Sequence, residues 1–299
     1  MGSGWSVDIK RGTLAIGAAL TLLAWAAISP AALAEEPVNW QLGMQAAASP
    51  VREQIDSLHD KLLVIATVIV LFVLALLVVI IVRFGAKRHP ISSPTTGNRL
   101  IEVTWTTVPV LILVYIAIPS FKLLYYADRV RTADFTVNVI GHQWYWSYEY
   151  PDQGGFTFDS TMLQDDDLAT YHEPRLLGVD KPMVVPVGAT VRVIVGGTDV
   201  IHSWFVPPLG VQEYAVVGRK NESWMRIDRP GTYYGQCNQI CGMNHPFMPV
   251  EVKAVSQDDF NRWVKNPDSL WNVPQKKASL IEVPNGSDAG QHLAARSAF

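Results

Sequence analysis

Charge is scarce in this sequence. Asp, Glu, Lys and Arg make up 17% of its 299 residues, 49% are hydrophobic, and the mean hydropathy is +0.15. Such a composition argues against an ordinary soluble enzyme. Positive charge is not in excess either. A formal net charge of −3 and a pI of about 6.2 leave no global basic field, which excludes nucleic acid as the natural main partner. Cysteine occurs twice, too few for a disulfide scaffold and enough for one bond or one small metal site. Internal repeats and long low-complexity stretches are also missing.

Three long apolar stretches are present. The first, Leu14 to Ile28, follows Lys10 and Arg11 and ends in Ala32-Leu33-Ala34 before Glu35-Glu36. That order reads as a cleaved secretory signal over 1–34, leaving an extracytoplasmic segment over 35–61. The alternative is an uncleaved transmembrane helix, against which stand the short run and Pro30. From Leu62 to Val82 no residue is charged. At about 1.5 Å per residue this run crosses the roughly 30 Å of hydrocarbon in a bilayer. Val103 to Phe121 is a second uncharged run, with Trp105 at its start and Tyr115, Tyr125 and Tyr126 toward its end, where amphipathic rings favour an interface. Pro109 and Pro119 would break a soluble helix but are tolerated within a membrane bundle. Arg83, Lys87, Arg88 and Arg99 lie between the runs against one acid, Glu102, which puts the connection in the cytoplasm. A hairpin over 62–126 therefore returns its C-terminal flank to the outside, which in a bacterial plan is the periplasm.

Beyond residue 127 the pattern changes to short runs rich in Val, Ile, Tyr and Trp, punctuated by Pro and Gly. Strands are expected at Phe135 to Ile140, Trp144 to Tyr150, Met183 to Val187, Thr190 to Val195, Ser223 to Ile227, Gly231 to Tyr234 and Val250 to Val255. Short strands at this spacing indicate an all-β sandwich or barrel over 127–265. Asp258 to Val264 is a candidate short helix, and 266–299 has the composition of a flexible tail. The 127–299 stretch holds 15 Lys or Arg and 20 Asp or Glu, so its natural electrostatic partner is basic.

Both cysteines fall in Cys237-Asn238-Gln239-Ile240-Cys241-Gly242-Met243-Asn244-His245-Pro246-Phe247-Met248, with His202 standing 35 residues before Cys237. Soft sulfur with imidazole selects copper or zinc, and a weak thioether ligand points to electron-transfer copper. The simpler alternative is a Cys237–Cys241 disulfide, which would leave His245 and Met248, at intervals of four and three, without a reason. A mononuclear site with two His, one Cys and an axial Met would have one thiolate too many. Two thiolates bridging two copper ions, each also bound by one His, use all the residues present.

Four stretches carry a resemblance to a known family: His202-Ser203-Trp204, Gly235-Gln236-Cys237 through Met248-Pro249, the aromatic string from Gly141 to Tyr150, and Gln41-Leu42-Gly43-Met44-Gln45. Together they resemble subunit II of the cytochrome c oxidases, over about residues 40 to 265. The resemblance implies a two-helix transmembrane hairpin followed by a cupredoxin-like Greek-key β domain. It further implies a dinuclear CuA centre that takes electrons from cytochrome c and passes them to haem in subunit I. The ligands so implied are His202, Cys237, the carbonyl of Gln239, Cys241, His245 and Met248. The family usually has Glu where this chain has Gln239, and that carboxylate helps hold magnesium against subunit I, so a weak or absent magnesium is expected. No Cys-x-x-Cys-His occurs, so this chain carries no covalently attached haem c.

Trp144, Trp146, Tyr148 and Tyr150 alternate with polar positions, the pattern of a core-facing strand. The resemblance singles out Trp144 as the residue through which cytochrome c delivers its electron. Glu149, Asp159, Asp180 and Asp199 match docking acids of the family, whereas Asp165-Asp166-Asp167 has no clear counterpart. Glu102, at the cytoplasmic end of the second membrane helix, matches the mouth of a proton path into subunit I. His59, His89, His142, His172 and His292 have no cluster partners in the sequence and read as structural or solvated. Two other functions compete. Quinol oxidase subunits lack the two cysteines found here, and a copper carrier would need exposed, exchangeable ligands.

Overall fold

A computed structural model describes residues 37–91, 93–128, 132–171 and 173–268. The expected signal segment, most of the tail, His172 and His292 lie outside the described residues. Residues 37–46 belong to a separate unit. Within it Gln41 Nε2 donates to the Met44 carbonyl at 2.9 Å, and Trp40 and Leu42 are exposed.

Helix α1, Pro50–Arg83, begins where the Ser49 hydroxyl accepts from the Arg52 amide at 3.1 Å, with Pro50 in the first turn. Helix α2, Arg99–Asp128, begins where Asn98 Oδ1 accepts from the Leu100 and Ile101 amides at 3.1 and 3.2 Å. It continues through Pro109 and Pro119, and none of its residues is buried. Both helices are long and apolar enough to cross a membrane, and their Leu, Val and Ile side chains face outward.

Ten strands follow among the described residues: β1 Phe135–His142, β2 Tyr145–Tyr150, β3 Phe156–Ser160, β4 Met183–Pro186, β5 Thr190–Gly197, β6 His202–Val206, β7 Val211–Ala215, β8 Asn221–Arg226, β9 Gly231–Cys237 and β10 Pro249–Val255. They form two five-stranded sheets, ordered β3-β2-β1-β5-β8 and β4-β10-β9-β6-β7. The chain changes sheet repeatedly, as a Greek-key sandwich requires. β1–β5 and β4–β10 are parallel pairs and the other pairings are antiparallel. Alternate residues of β1 and β5 (Val137, Val139, Val191, Val193, Val195) are buried, and with Trp146, Tyr148, Tyr150, Met183, Val250 and Val252 they build one core. A four-residue helix, α3 (Leu168–Tyr171), lies in the β3–β4 connection. Helix α4, Gln257–Lys265, is capped by Ser256 and packs Phe260 and Trp263 onto Phe135, Tyr150 and Phe156.

Seven of the ten strands coincide with runs expected from the sequence. The other three do not announce themselves. β3 has a single apolar alternation, and β6 and β7 are separated only by Pro207-Pro208-Leu209-Gly210.

The helices are tied to the sandwich by specific bonds. Ser49 Oγ donates to the Leu209 carbonyl at 2.6 Å and Arg52 to the Pro207 carbonyl at 2.8 Å. At the end of α2, Trp224 Nε1 donates to the Tyr126 carbonyl at 3.3 Å while the two rings meet edge to face.

Candidate metal centre

The end of β9 and the β9–β10 connection hold five of the six expected ligands, and β6 holds the sixth. Cys237 ends β9, and its amide donates to the Met248 carbonyl just before β10, closing 237–248 into a loop. His202 begins β6, where Trp204 pairs with Cys237 across the ladder. Among the described residues, the ligand atoms of His202, Cys237 and Cys241 all lie within 4.8 Å of one another. The two sulfurs are 3.8 Å apart, beyond disulfide bonding, and both cysteines are free. Cys241 Sγ is 3.5 Å from His245 Nδ1 and 3.5 Å from Met248 Sδ, and the Gln239 carbonyl lies 3.3 Å from Cys237 Sγ. All six expected donors are thus brought to one spot. The side chains of His202, Cys237, Cys241 and Met248 are buried.

The fit to a soft metal can be tested on His202. Its Nε2 is held by Asp199 at 2.8 Å, whereas its Nδ1 is buried without a hydrogen-bond partner. A buried imidazole nitrogen with no partner beside two thiols is what a metal would complete. The Asp199 carboxylate also accepts from the amides of Gln143 and Val200, each at 2.6 Å. Burial works against its charge, but His202 and these two amides outweigh burial and hold the carboxyl below its usual range. The thiols differ. Burial pushes Cys237 up, yet His202 and the main chain of Ser203 and Gln239 outweigh it and bring it to about 7. Burial and the neighbouring Cys237 push Cys241 up to about 12.

Trp144 is not the first residue of a strand, as the alternation suggested. It lies with Gln143 in the two-residue turn between β1 and β2, joined to it by a cis peptide bond. Its indole Nε1 donates to the Cys241 carbonyl at 3.2 Å, and Gln143 Nε2 donates to the same oxygen at 2.9 Å. Gly242 permits this approach, since a Cβ there would lie 2.8 Å from Trp144 Cζ2 on a backbone with φ of 126°. Trp146, Tyr148 and Tyr150 are fully buried, and Trp146 meets the His202 ring edge-on at 5.9 Å.

The expected docking acids are engaged within the chain. Asp199 is bound as above, Asp159 accepts from Ser147 at 2.6 Å, Asp180 from Thr161 at 2.7 and 2.9 Å, and Glu149 from Asn138 at 2.7 Å. Glu102 is half-buried in the first turn of α2, at the opposite end of that helix from the sandwich. Sequence reasoning passed over His142, whose neighbours come together only when β1, β2 and the β5–β6 turn meet.

A β-sandwich carried by two membrane-spanning helices, with two thiols, two imidazoles and a thioether gathered in one place, is a copper-binding membrane protein. Residues 135–255 match the family described as cytochrome c oxidase subunit II, periplasmic domain, and residues 37–123 match its transmembrane domain. A probable cytochrome c oxidase subunit 2 of Rickettsia bellii is 45% identical over 251 residues, covering 84% of this chain and 93% of the relative. Cytochrome c oxidase subunit 2 of Oenothera berteroana is 46% identical over 241 residues, covering 79% and 93%. The solved periplasmic domain of subunit II (CoxB) of Bradyrhizobium japonicum is 46% identical, covering 48% of this chain and 99% of that one, with a TM-score of 0.44. The chain belongs to the cytochrome c oxidase subunit II family.

Proposed function

We propose that this chain is the electron-accepting subunit of a respiratory cytochrome c oxidase in a bacterial inner membrane. In this reading 1–34 is removed as a signal, 35–61 and 127–265 lie in the periplasm, 62–126 is the membrane hairpin and 266–299 is a tail. His202, Cys237, the Gln239 carbonyl, Cys241, His245 and Met248 hold a dinuclear copper centre. Bound there, copper supplies a one-electron relay between cytochrome c and haem in subunit I, where oxygen is reduced to water with proton translocation. The buried cluster of His202, Cys237, Cys241 and Met248, with His245 and the Gln239 carbonyl beside its sulfurs, carries the reading. Burial of the sulfur ligands runs against a copper carrier, which needs them accessible.

The chain's own residues have distinct tasks. Asp199 fixes the tautomer of His202 so that Nδ1 faces the sulfurs. Trp144 joins the surface to the main chain of Cys241 through one hydrogen bond and is the contact for cytochrome c. A surface cavity of about 610 Å³ beside it is lined by Leu163, Asp165, Asp166, Arg175 and Phe247. With Trp144 it is the surface offered to a basic donor, and Glu149, Asp159, Asp180 and Asp199 are the further docking acids of this reading. Glu102 stands at the cytoplasmic mouth of a proton path into subunit I.

Metal analysis and spectra of the assembled oxidase test this reading. Cys237→Ser or Cys241→Ser abolishes the two-copper content and the mixed-valence electron-spin signal, because a hydroxyl is neither soft nor ionised enough to bridge copper. Two coppers with an unchanged spectrum in either variant would exclude the assignment. Gln239 bears on the second metal. A main-chain carbonyl ligand is indifferent to side-chain charge, so copper is retained, whereas magnesium at the subunit I interface is weakly held or lost. Gln239→Glu increases its retention against a chelator. Chelator-resistant magnesium in the native complex would show that subunit I suffices without the carboxylate.

A further inference from the structure

The β1–β2 turn and the β5–β6 turn are fastened together by a hydrogen-bonded chain centred on His142. His142 Nε2 is 3.0 Å from Ser147 Oγ, and Ser147 Oγ is 2.6 Å from Asp159 Oδ1. On the other side of the ring, Nδ1 is 2.9 Å from Thr198 Oγ1. Donor accounting sets the direction. Asp159 only accepts, so the Ser147 hydroxyl donates to it, and the Ser147 oxygen must then receive the Nε2–H of His142. His142 Nδ1, left unprotonated, and the Gly141 carbonyl at 3.2 Å are then the two acceptors that share the single proton of the Thr198 hydroxyl. The Thr198 amide in turn donates to the Gly141 carbonyl at 3.2 Å. The ring lies flat on Tyr145, with centroids 4.5 Å apart and an interplanar angle of 8°.

Both turns so joined touch the metal centre. Thr198 precedes Asp199, which grips His202 Nε2 and the Gln143 amide. His142 precedes Gln143 and Trp144, which both bond the Cys241 carbonyl. Gly141 is pressed against the site, as a Cβ there would lie 2.9 Å from His202 Cδ2 and 3.1 Å from Trp146 Cζ3. A small shift between the turns would therefore move Trp144 and the His202 ring relative to each other.

We infer that His142 is a positioning residue that holds Trp144 and His202 in register, acting through Thr198, Asp199 and Gln143. The inference rests on the proposed copper centre and deepens it. The ring's hydrogen bonds do the positioning, and its stack on Tyr145 supplies packing only.

Two variants separate those contributions. His142→Phe keeps a flat ring over Tyr145 and loses both hydrogen bonds, whereas His142→Gln keeps an amide able to donate and accept. In the copper-free, detergent-solubilised full chain, His142→Phe should raise amide hydrogen exchange in peptides covering 141–146 and 197–203, and His142→Gln should restore part of the protection. In the assembled oxidase, His142→Phe should lower kcat for donor oxidation about tenfold with KM unchanged. It should also alter the copper electron-spin pattern at full copper occupancy. Native exchange, kcat and spectrum in His142→Phe would overturn the inference. So would exchange that rises uniformly across the sandwich, which marks general destabilisation. If the wild-type oxidase lacked the two-copper signal, the proposed function would fail instead, and the exchange experiment would still decide the role of His142.

Discussion

At the residue scale, the site depends on one carbonyl, that of Cys241, serving two purposes. It belongs to a residue expected to bind copper, and it accepts from the side chains of Gln143 and Trp144. Gly242 controls this junction. Gly242→Ala places a methyl group 2.8 Å from Trp144 Cζ2 in a backbone conformation that L-residues rarely adopt. The indole must move, and electron transfer from donor to copper should slow roughly tenfold to a hundredfold, as for other small misplacements in a preorganised site. Donor binding in the same variant, measured by its KM, should stay close to native. A native transfer rate would show that the Trp144–Cys241 bond is not on the path. The residues that sequence alone made legible are those whose chemistry is rare: two thiols, a histidine and two methionines within 12 positions. Asp199 was legible only as a docking acid, because its bond to the Gln143 amide at 2.6 Å joins turns far apart in the sequence.

At the element scale, β10 is buried at every position, although a strand of a two-layer sandwich normally shows one face to water. The segment between β3 and β4 covers its outer face, and Glu251 lies beneath that cover. Glu251 is 1% exposed, accepts from the Val179 amide at 3.1 Å and lies 3.9 Å from Lys253 Nζ. Burial first, then the charges of Glu173 and Asp180, push its carboxyl up to about 8 against the opposing effect of Lys253. A raised carboxyl favours the protonated fold, so its contribution is complete below the unfolded value near 4.3 and is lost as pH rises toward 8. The stability of the sandwich, and its melting temperature with it, should fall over that window. Glu251→Gln should flatten this dependence. Calorimetry of both proteins between pH 5 and pH 8.5 decides, and parallel profiles would remove Glu251 from the account. Here the sequence was less informative. Glu251 and Lys253 alternate with Val and Ala, which reads as a strand with one wet face, and nothing local reveals the cover formed by a distant loop.

At the scale of the whole molecule, the acid excess beyond residue 127 and the apolar hairpin before it divide the work between an aqueous and a lipid phase. A basic cytochrome c should be drawn to the acidic face, with an association rate that falls as salt screens charges beyond about 8 to 10 Å. Stopped-flow oxidation of the donor across a salt series checks this. A Trp144→Ala oxidase should retain the salt slope while losing transfer rate, and insensitivity of the native enzyme to salt would exclude electrostatic docking. The large division into hairpin and sandwich was legible because lipid and water impose such different compositions. The pairing of the strands was not, since it joins segments far apart in the chain.

The bonds from Ser49 and Arg52 to the Pro207–Leu209 turn, and from Trp224 to the end of α2, reach further than local packing. Because each helix is moored separately, the sandwich has no single swivel about which to nod. The height of the 237–248 loop above the helix ends is therefore set by these hydrogen bonds. A thicker or thinner membrane would be met by leaning hairpin and sandwich together, keeping the spacing between that loop and the helix ends constant.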